Sequence, residues 1–271
     1  MTYVVEQLAS TIFRLTAPNP SIMTGAGTNT YIIGQDKLMV IDPGPNDEEH
    51  IKRILDFAKG RIHWIAVTHT HKDHSPAAVP LSKITQAPCI GLMPRDMHQQ
   101  DQSFQADIAW SQGDSLSIGD DVIHAISTPG HVENHLCFWL EKAQYVFAGD
   151  HLIEGGTVAI LPPSGDMYEY MKSLEKLLDY SIAKIAPGHG KLIEQPIQHI
   201  KAVIKHRLAR ESKLVQLLTQ EPIHIDTLLP QVYDDVDSQL LPLAKYSLLA
   251  HLIKLEKDQR VQKQGDCWQF S

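Results

Sequence analysis

The sequence predicts a mixed α/β domain of many short strands, followed by a separate helical tail that closes with a hairpin. Three observations carry this reading. Short apolar runs bounded by Gly, Pro, Asn and Asp alternate with helix-period stretches over the first 195 or so residues. After Pro196 the period becomes helical almost throughout. The chain also holds 15 histidines in 271 residues, several of them in short loops directly after strand-like runs.

Taken in order, Asn29–Ile33 and Lys37–Asp42 read as two strands around a turn at Gly34. Asp42-Pro43-Gly44-Pro45-Asn46 is a loop, and Asn46 or Asp47 caps a helix through Ile51, Ile54, Leu55 and Ala58. Trp64–Val67 is a short buried strand that enters a histidine-rich loop. Further strands are read at Cys89–Leu92, Val122–Ile126, Leu136–Leu140 and Tyr145–Ala148. A helix through Tyr168, Met171, Leu174, Leu177 and Leu178 precedes a last strand, Ile182–Ala186.

In the tail, Ile197, Ile200, Val203, Ile204, Leu208, Leu214, Leu217 and Leu218 trace one apolar stripe that ends near Pro222. Asp226 is expected to cap a second helix through Leu228, Leu229 and Val232, and Leu240–Leu255 forms a third. Arg260–Lys263 and Cys267–Phe270 flank Gln264-Gly265-Asp266 as a hairpin. Three helices and a hairpin suggest a winged-helix-like α+β module. The division is therefore 1–196 for the strand-rich domain and 197–271 for the tail.

Composition narrows the function. There are 24 Lys and Arg against 32 Asp and Glu, a net charge of −8, which does not suit a protein gripping nucleic acid by long basic surfaces. From Gln198 onward 10 basic and 9 acidic residues give +1, leaving 14 and 23 upstream, or −9. No apolar run approaches the ~20 residues of a membrane span. Met1–Glu6 lacks a secretory or transit signature, and three scattered cysteines make no disulfide framework. A cytoplasmic protein with no membrane partner is expected.

The chemistry concentrates in Val67-Thr68-His69-Thr70-His71-Lys72-Asp73-His74. Residues two apart in an extended segment point the same way, so His69 and His71 can converge on one ion. If the chain then turns into a helix at Asp73-His74, that pair can swing to face a second ion nearby. Three more candidate ligands stand at strand exits beside Gly or Pro: His131 in Pro129-Gly130-His131, Asp150 in Gly149-Asp150, and His189 in Pro187-Gly188-His189-Gly190. One such residue alone is ordinarily a turn or capping group. Seven together predict a site for two metal ions.

These motifs resemble those of the metallo-β-lactamase superfamily of hydrolases. The resemblance implies an αββα sandwich with the ligands on loops at one edge. It further implies that His69, His71 and His131 hold one ion, that Asp73, His74 and His189 hold the other, and that Asp150 bridges both. Imidazole and carboxylate ligands without thiolate suit Zn2+, with Mn or Fe as alternatives. Two divalent cations against Asp73, Asp150 and one hydroxide leave a charge of about +1, and hydroxide bridging the ions would be the nucleophile at neutral pH. Asp73 would also orient that hydroxide as the catalytic residue. Flavin-linked di-iron relatives replace the second histidine with a carboxylate, whereas His71 is intact, so the resemblance implies a hydrolase rather than a redox enzyme.

Gly27–Tyr31, Ile41–Gly44, Gly165–Tyr168 with Ser173-Leu174, and His206-Arg207 with Arg210-Glu211 resemble the β-lactamase-like protein 2 group, which carries a winged-helix-like tail and includes an endoribonuclease. Phosphodiester cleavage of single-stranded RNA is the first expectation. Hydrolysis of a small-molecule thioester or ester, of glyoxalase II type, is the alternative. Arg207, Arg210, Lys201 and Lys205 would either guide an RNA strand or form a solvated helix face. The third tail helix is too apolar to read duplex DNA, and fits a core or a homodimer contact. His135 is either close to the ligands or substrate or a plain structural histidine, and Asp42 either hydrogen-bonds the ligand loops or caps a turn. His63 and His151 read as surface or satisfied histidines. His50, His98, His124, His199, His206, His224 and His251 lack metal-like company.

Overall fold

The computed structural model describes residues 4–95 and 100–271; His98 and the first three residues lie outside them. Contacts divide the chain into two compact units. The first comprises residues 1–128, 134–156 and 180–196, and the second 129–133, 157–179 and 197–271.

The first unit is built on two sheets. One has seven strands in chain order: β1 (Glu6–Ala9), β2 (Ile12–Thr16), β3 (Asn29–Gly34), β4 (Leu38–Ile41), β5 (Ile62–Ala66), β6 (Cys89–Gly91) and β7 (Ile108–Ala109). Its first three pairings are antiparallel, and β4, β5, β6 and β7 run parallel. The other sheet has the order β12-β11-β10-β9-β8, from β8 (Ser115–Ile118), β9 (Asp121–Ser127), β10 (Leu136–Leu140), β11 (Tyr145–Gly149) and β12 (Lys184–Pro187). Only the β11–β12 pairing in it is parallel.

Alternation along β3 and β4 explains the layering. Tyr31, Ile33, Met39 and Ile41 face a core shared with Ile123, Ala125, Phe138 and Phe147 of the second sheet. Ile32, Leu38 and Val40 face the opposite way, against Ile51 and Ile54 of α1 (Glu48–Ala58) and Leu81 of α2 (Ala78–Thr85). Both faces are buried, so these strands read in the sequence as continuous apolar runs. Asp47 caps α1 by accepting from the backbone N–H of His50 at 2.8 Å.

The second unit contains α3 (Met167–Leu177), α4 (Pro196–Leu217), α5 (Ile225–Val232), a 3-10 turn (Ser238–Leu240), α6 (Leu241–Lys257) and a three-stranded sheet. That sheet has the order β13 (Ile223–His224), β15 (Cys267–Phe270), β14 (Val261–Gln264). Leu214, Leu228, Leu248, Leu252, Leu255, Val261 and Trp268 form its core, so the apolar face of α6 is spent on packing within the unit. The cap of α5 is His224, whose Nδ1 accepts from the N–H of Asp226, rather than Asp226 itself. Among the described residues no helix is long and apolar enough to cross a membrane.

Candidate metal centre

Each predicted ligand stands where a strand ends. His69 follows β5, Asp150 follows β11 and His189 follows β12, all at the C-terminal ends of parallel strands, where open α/β sheets leave a crevice. His131 lies in the β9–β10 connection. The segment after His71 is a turn rather than a helix, closed by the His74 N–H to the His71 carbonyl at 3.0 Å; α2 begins only at Ala78.

The structure gathers these residues into two groups of potential ligands. His69, His71, His131 and Asp150 each offer one donor atom within 4.8 Å of the others, and Asp73, His74 and His189 do the same. Asp150 also faces the second group: its Oδ1 lies 3.4 Å from His74 Nε2 and 3.3 Å from His189 Nε2. Asp73 Oδ2 lies 3.5 Å and 3.2 Å from the same two nitrogens. Donors about 2.0–2.2 Å from a shared ion in a tetrahedral array are about 3.3–3.6 Å apart, and these nitrogen–oxygen distances match that spacing.

The outward nitrogens agree with this. Thr68 donates its hydroxyl proton to Asp42 Oδ2 at 2.7 Å, so the Nδ1–H of His69, 3.0 Å from Thr68 Oγ1, is the donor to that oxygen. His74 Nδ1 donates to Asp42 Oδ2 at 2.9 Å, His131 Nδ1 to the Ala159 carbonyl at 2.8 Å, and His189 Nδ1 to the Gly27 carbonyl at 3.3 Å. In all four rings Nδ1 is held by an acceptor, so Nε2 is the nitrogen turned the other way, as in histidines that ligate metal. The fifth ring, His71, brings its Nδ1 to 3.0 Å from His69 Nε2.

Electrostatics point the same way. Burial works against charge on Asp150, but His189 and His74 override it and hold the carboxyl well below its ordinary range. Burial likewise opposes ionisation of Asp73, yet His74 and a hydrogen bond from His189 draw it down to about 2. Burial disfavours a charged His74, and the Asp73, Asp150 and Asp42 carboxylates outweigh it and raise its pKa well above the usual value. For His189, Asp150 overcomes burial and lifts the pKa to about 9. Burial, with His74 and His71 nearby, pushes His69 well down. Carboxylates that draw the pKa of adjacent buried imidazoles upward mark a pocket that favours positive charge.

Asp42, 2% exposed and at φ 49°, accepts from the Thr68 N–H at 2.7 Å as well as from Thr68 Oγ1 and His74, and so joins the ends of β4 and β5. His135 is buried, with Nδ1 2.9 Å from Thr128 Oγ1 and its ring stacked 5.1 Å from that of His69; His151, also buried, lies 5.9 Å further along. Some supporting residues had no individual role in the sequence pattern. Thr28 Oγ1 reaches Asp73 Oδ2 at 3.4 Å, Asn29 Nδ2 donates to the Pro187 and Gly190 carbonyls, and Tyr31 Oη donates to the Pro187 carbonyl at 2.7 Å. Buried polar residues at the start of an otherwise apolar strand were their signal.

Arg207 and Arg210 are neither an RNA guide nor a solvated face. They are 3% and 7% exposed; Arg207 donates to the Val158 carbonyl, and Arg210 to the Val232 carbonyl and Asp235. Lys201 and Lys205 remain exposed on α4.

Known proteins match this architecture. The metallo-beta-lactamase superfamily model covers residues 23–189, and that of the beta-lactamase associated winged helix domain covers 225–268. A beta-lactamase-like protein 2 homolog of Drosophila melanogaster is 32% identical over 279 residues, covering 97% of this chain and 94% of its own. An atrochrysone carboxyl ACP thioesterase of Aspergillus fumigatus is 30% identical over 218 residues, covering 79% of this chain and 67% of its own. A solved beta-lactamase domain protein from Burkholderia ambifaria shares the fold at a TM-score of 0.84 over 98% of this chain and 93% of its own, with 17% identity. With matched donors at strand ends and both family models in place, the chain belongs to the metallo-beta-lactamase superfamily, whose members are generally hydrolases, and carries the winged helix associated with it.

Proposed function

We propose that this protein is a dinuclear metal-dependent hydrolase. His69, His71 and His131 hold one divalent ion, Asp73, His74 and His189 hold the other, and Asp150 serves both. The observation that carries this is the convergence of seven nitrogen and oxygen donors with the Nδ1–H of four imidazoles turned away and anchored. The all-N/O donor set favours Zn2+, with Mn or Fe as alternatives. Such ions supply an acidified water and a Lewis acid for a carbonyl or phosphoryl oxygen. Asp73 is the catalytic residue: its Oδ2 faces the ion together with His74 and His189, and the carboxylate would orient the attacking hydroxide by accepting its hydrogen bond.

For the substrate, a small-molecule thioester or ester is the leading reading. A relative named as a thioesterase spans most of the chain, and Arg207 and Arg210 are committed inside the fold. Single-stranded RNA is the second reading, supported by the exposed Lys201 and Lys205. The test is metal content together with turnover of S-lactoylglutathione and of labelled single-stranded RNA by wild type and Asp73→Ala. The expected result is two bound ions per chain, chelator-sensitive thioester hydrolysis, and loss of at least ~100-fold in Asp73→Ala. Cleavage of RNA with an inert thioester would exchange the two readings. Folded protein that takes up no transition metal would end both.

A further inference from the structure

Val158 and Ile160 are buried, and the carbonyl of the half-buried Ala159 between them accepts the Nδ1–H of His131. On one side of Ala159, the Arg207 guanidinium of α4 donates to the Val158 carbonyl. On the other, Ser247 Oγ of α6 lies 3.5 Å from the Ile160 N–H. We propose that the tail positions His131: Arg207, aided by Ser247, fixes the Ala159 carbonyl that sets the ring's orientation and tautomer. The proposal rests on the reading of His131 as a metal ligand.

Three further contacts converge on the same turn. The Arg207 guanidinium lies 5.4 Å over the ring of Tyr170, a fully buried residue of α3. The backbone of Tyr170 passes so close to Gly130 that a Cβ there would stand 2.3 Å from Tyr170 Cα. Asp166, the cap of α3, donates its N–H to the Gly130 carbonyl at 2.8 Å and accepts from Lys257 of α6. The residue before His131 is thus clamped by α3, and the acceptor of its ring proton is clamped by α4 and α6. A buried guanidinium carries a desolvation cost that an apolar side chain of similar volume avoids, and its hydrogen bond to a main-chain carbonyl is what an apolar replacement would lose. Positioning residues of this kind act on metal affinity through the ligand they orient.

The test uses the full chain with 15N-labelled histidine, with His131 assigned by the signal lost in His131→Gln. In the metal-free wild type, His131 is expected as the Nδ1–H tautomer with an unprotonated Nε2. In Arg207→Met its two ring nitrogens should average, and Zn2+ affinity measured against a competing chelator should fall about 10–100-fold. Arg207→Lys should recover part of that loss. Arg210→Met is the control: Arg210 also sits buried on α4 but bonds Val232 and Asp235, so thermal stability should drop with the His131 signal unchanged. An unaltered His131 signal in Arg207→Met, or equal changes in both arginine variants, overturns the proposal. If Arg207→Met does not fold, Ser247→Ala decides, with a few-fold loss of Zn2+ affinity and a shifted His131 ring expected, and unchanged nitrogens overturning it. A wild type that binds no Zn2+ would remove the ligand reading alone, since the ring signal is read without metal.

Discussion

Asp42 Oδ2 stands 2.9 Å from Nδ1 of His74, and neither side chain is more than 2% exposed. The same carboxylate takes both the hydroxyl and the N–H of Thr68, so one residue at the end of β4 orients His74 directly and His69 through Thr68.

Replacing that carboxylate isolates its role. Asn tolerates the left-handed backbone that Asp42 adopts, so Asp42→Asn changes charge and acceptor capacity with little strain. We expect Zn2+ affinity to fall about 10–100-fold with the fold intact. Chelator competition alongside circular dichroism checks this, and unchanged affinity would remove Asp42 from the support of the ligands.

Gly188 packs against Asp150 and His74 of the proposed ligand set. A Cβ there would lie 2.7 Å from both Asp150 Oδ1 and His74 Cε1, and 3.1 Å from the carbonyl carbon of Gly149. In Gly188→Ala the Asp150 and His74 side chains must yield first. The expected outcome is metal uptake reduced from two ions to one or none, read by elemental analysis of protein that still unfolds cooperatively. Full occupancy would show that the pocket relaxes at little cost.

A third expectation concerns pH. Burial pushes His50 down to about 4; its Nε2 contacts Thr30 Oγ1 at 2.8 Å, and that hydroxyl in turn donates to the Asp42 carbonyl. Between pH 4 and 6.5 the unfolded chain binds the extra proton and the folded chain does not, so stability rises with pH. This contribution is complete above pH 6.5 and is lost as pH falls toward 4. It amounts to roughly 3 kcal/mol for a lowering of this size. Thermal midpoints across that window should fall toward acid, and His50→Gln should flatten the slope; a parallel slope in the variant refutes the assignment.

Much of the architecture was legible in the sequence. Strands β4, β10 and β11 stood out because burial on both faces makes them apolar runs, β3, β5 and β9 by shorter apolar stretches, and the stripe of α4 announced itself by period. Other elements gave weaker signals. Helix α2 is only eight residues long and its Ala77 cap offers no side-chain bond, while β1 has a mixed, half-exposed pattern without clean alternation. A helix at Asp73-His74 is one way to swing that pair toward a second ion, yet a single turn suffices to redirect them.

The sequence by itself determined which donors were present and that each followed a strand, since side-chain direction in an extended segment and turn chemistry beside Gly and Pro are local properties. Tertiary structure alone decided which nitrogen each ring presents, because the acceptors for His74, His131 and His189 lie 28 to 162 residues away in the chain and meet them only once the chain has folded. It also decided the fate of Arg207. Helical period places that residue on a face of α4, but only burial against Val158 and Tyr170 reveals that the face points inward.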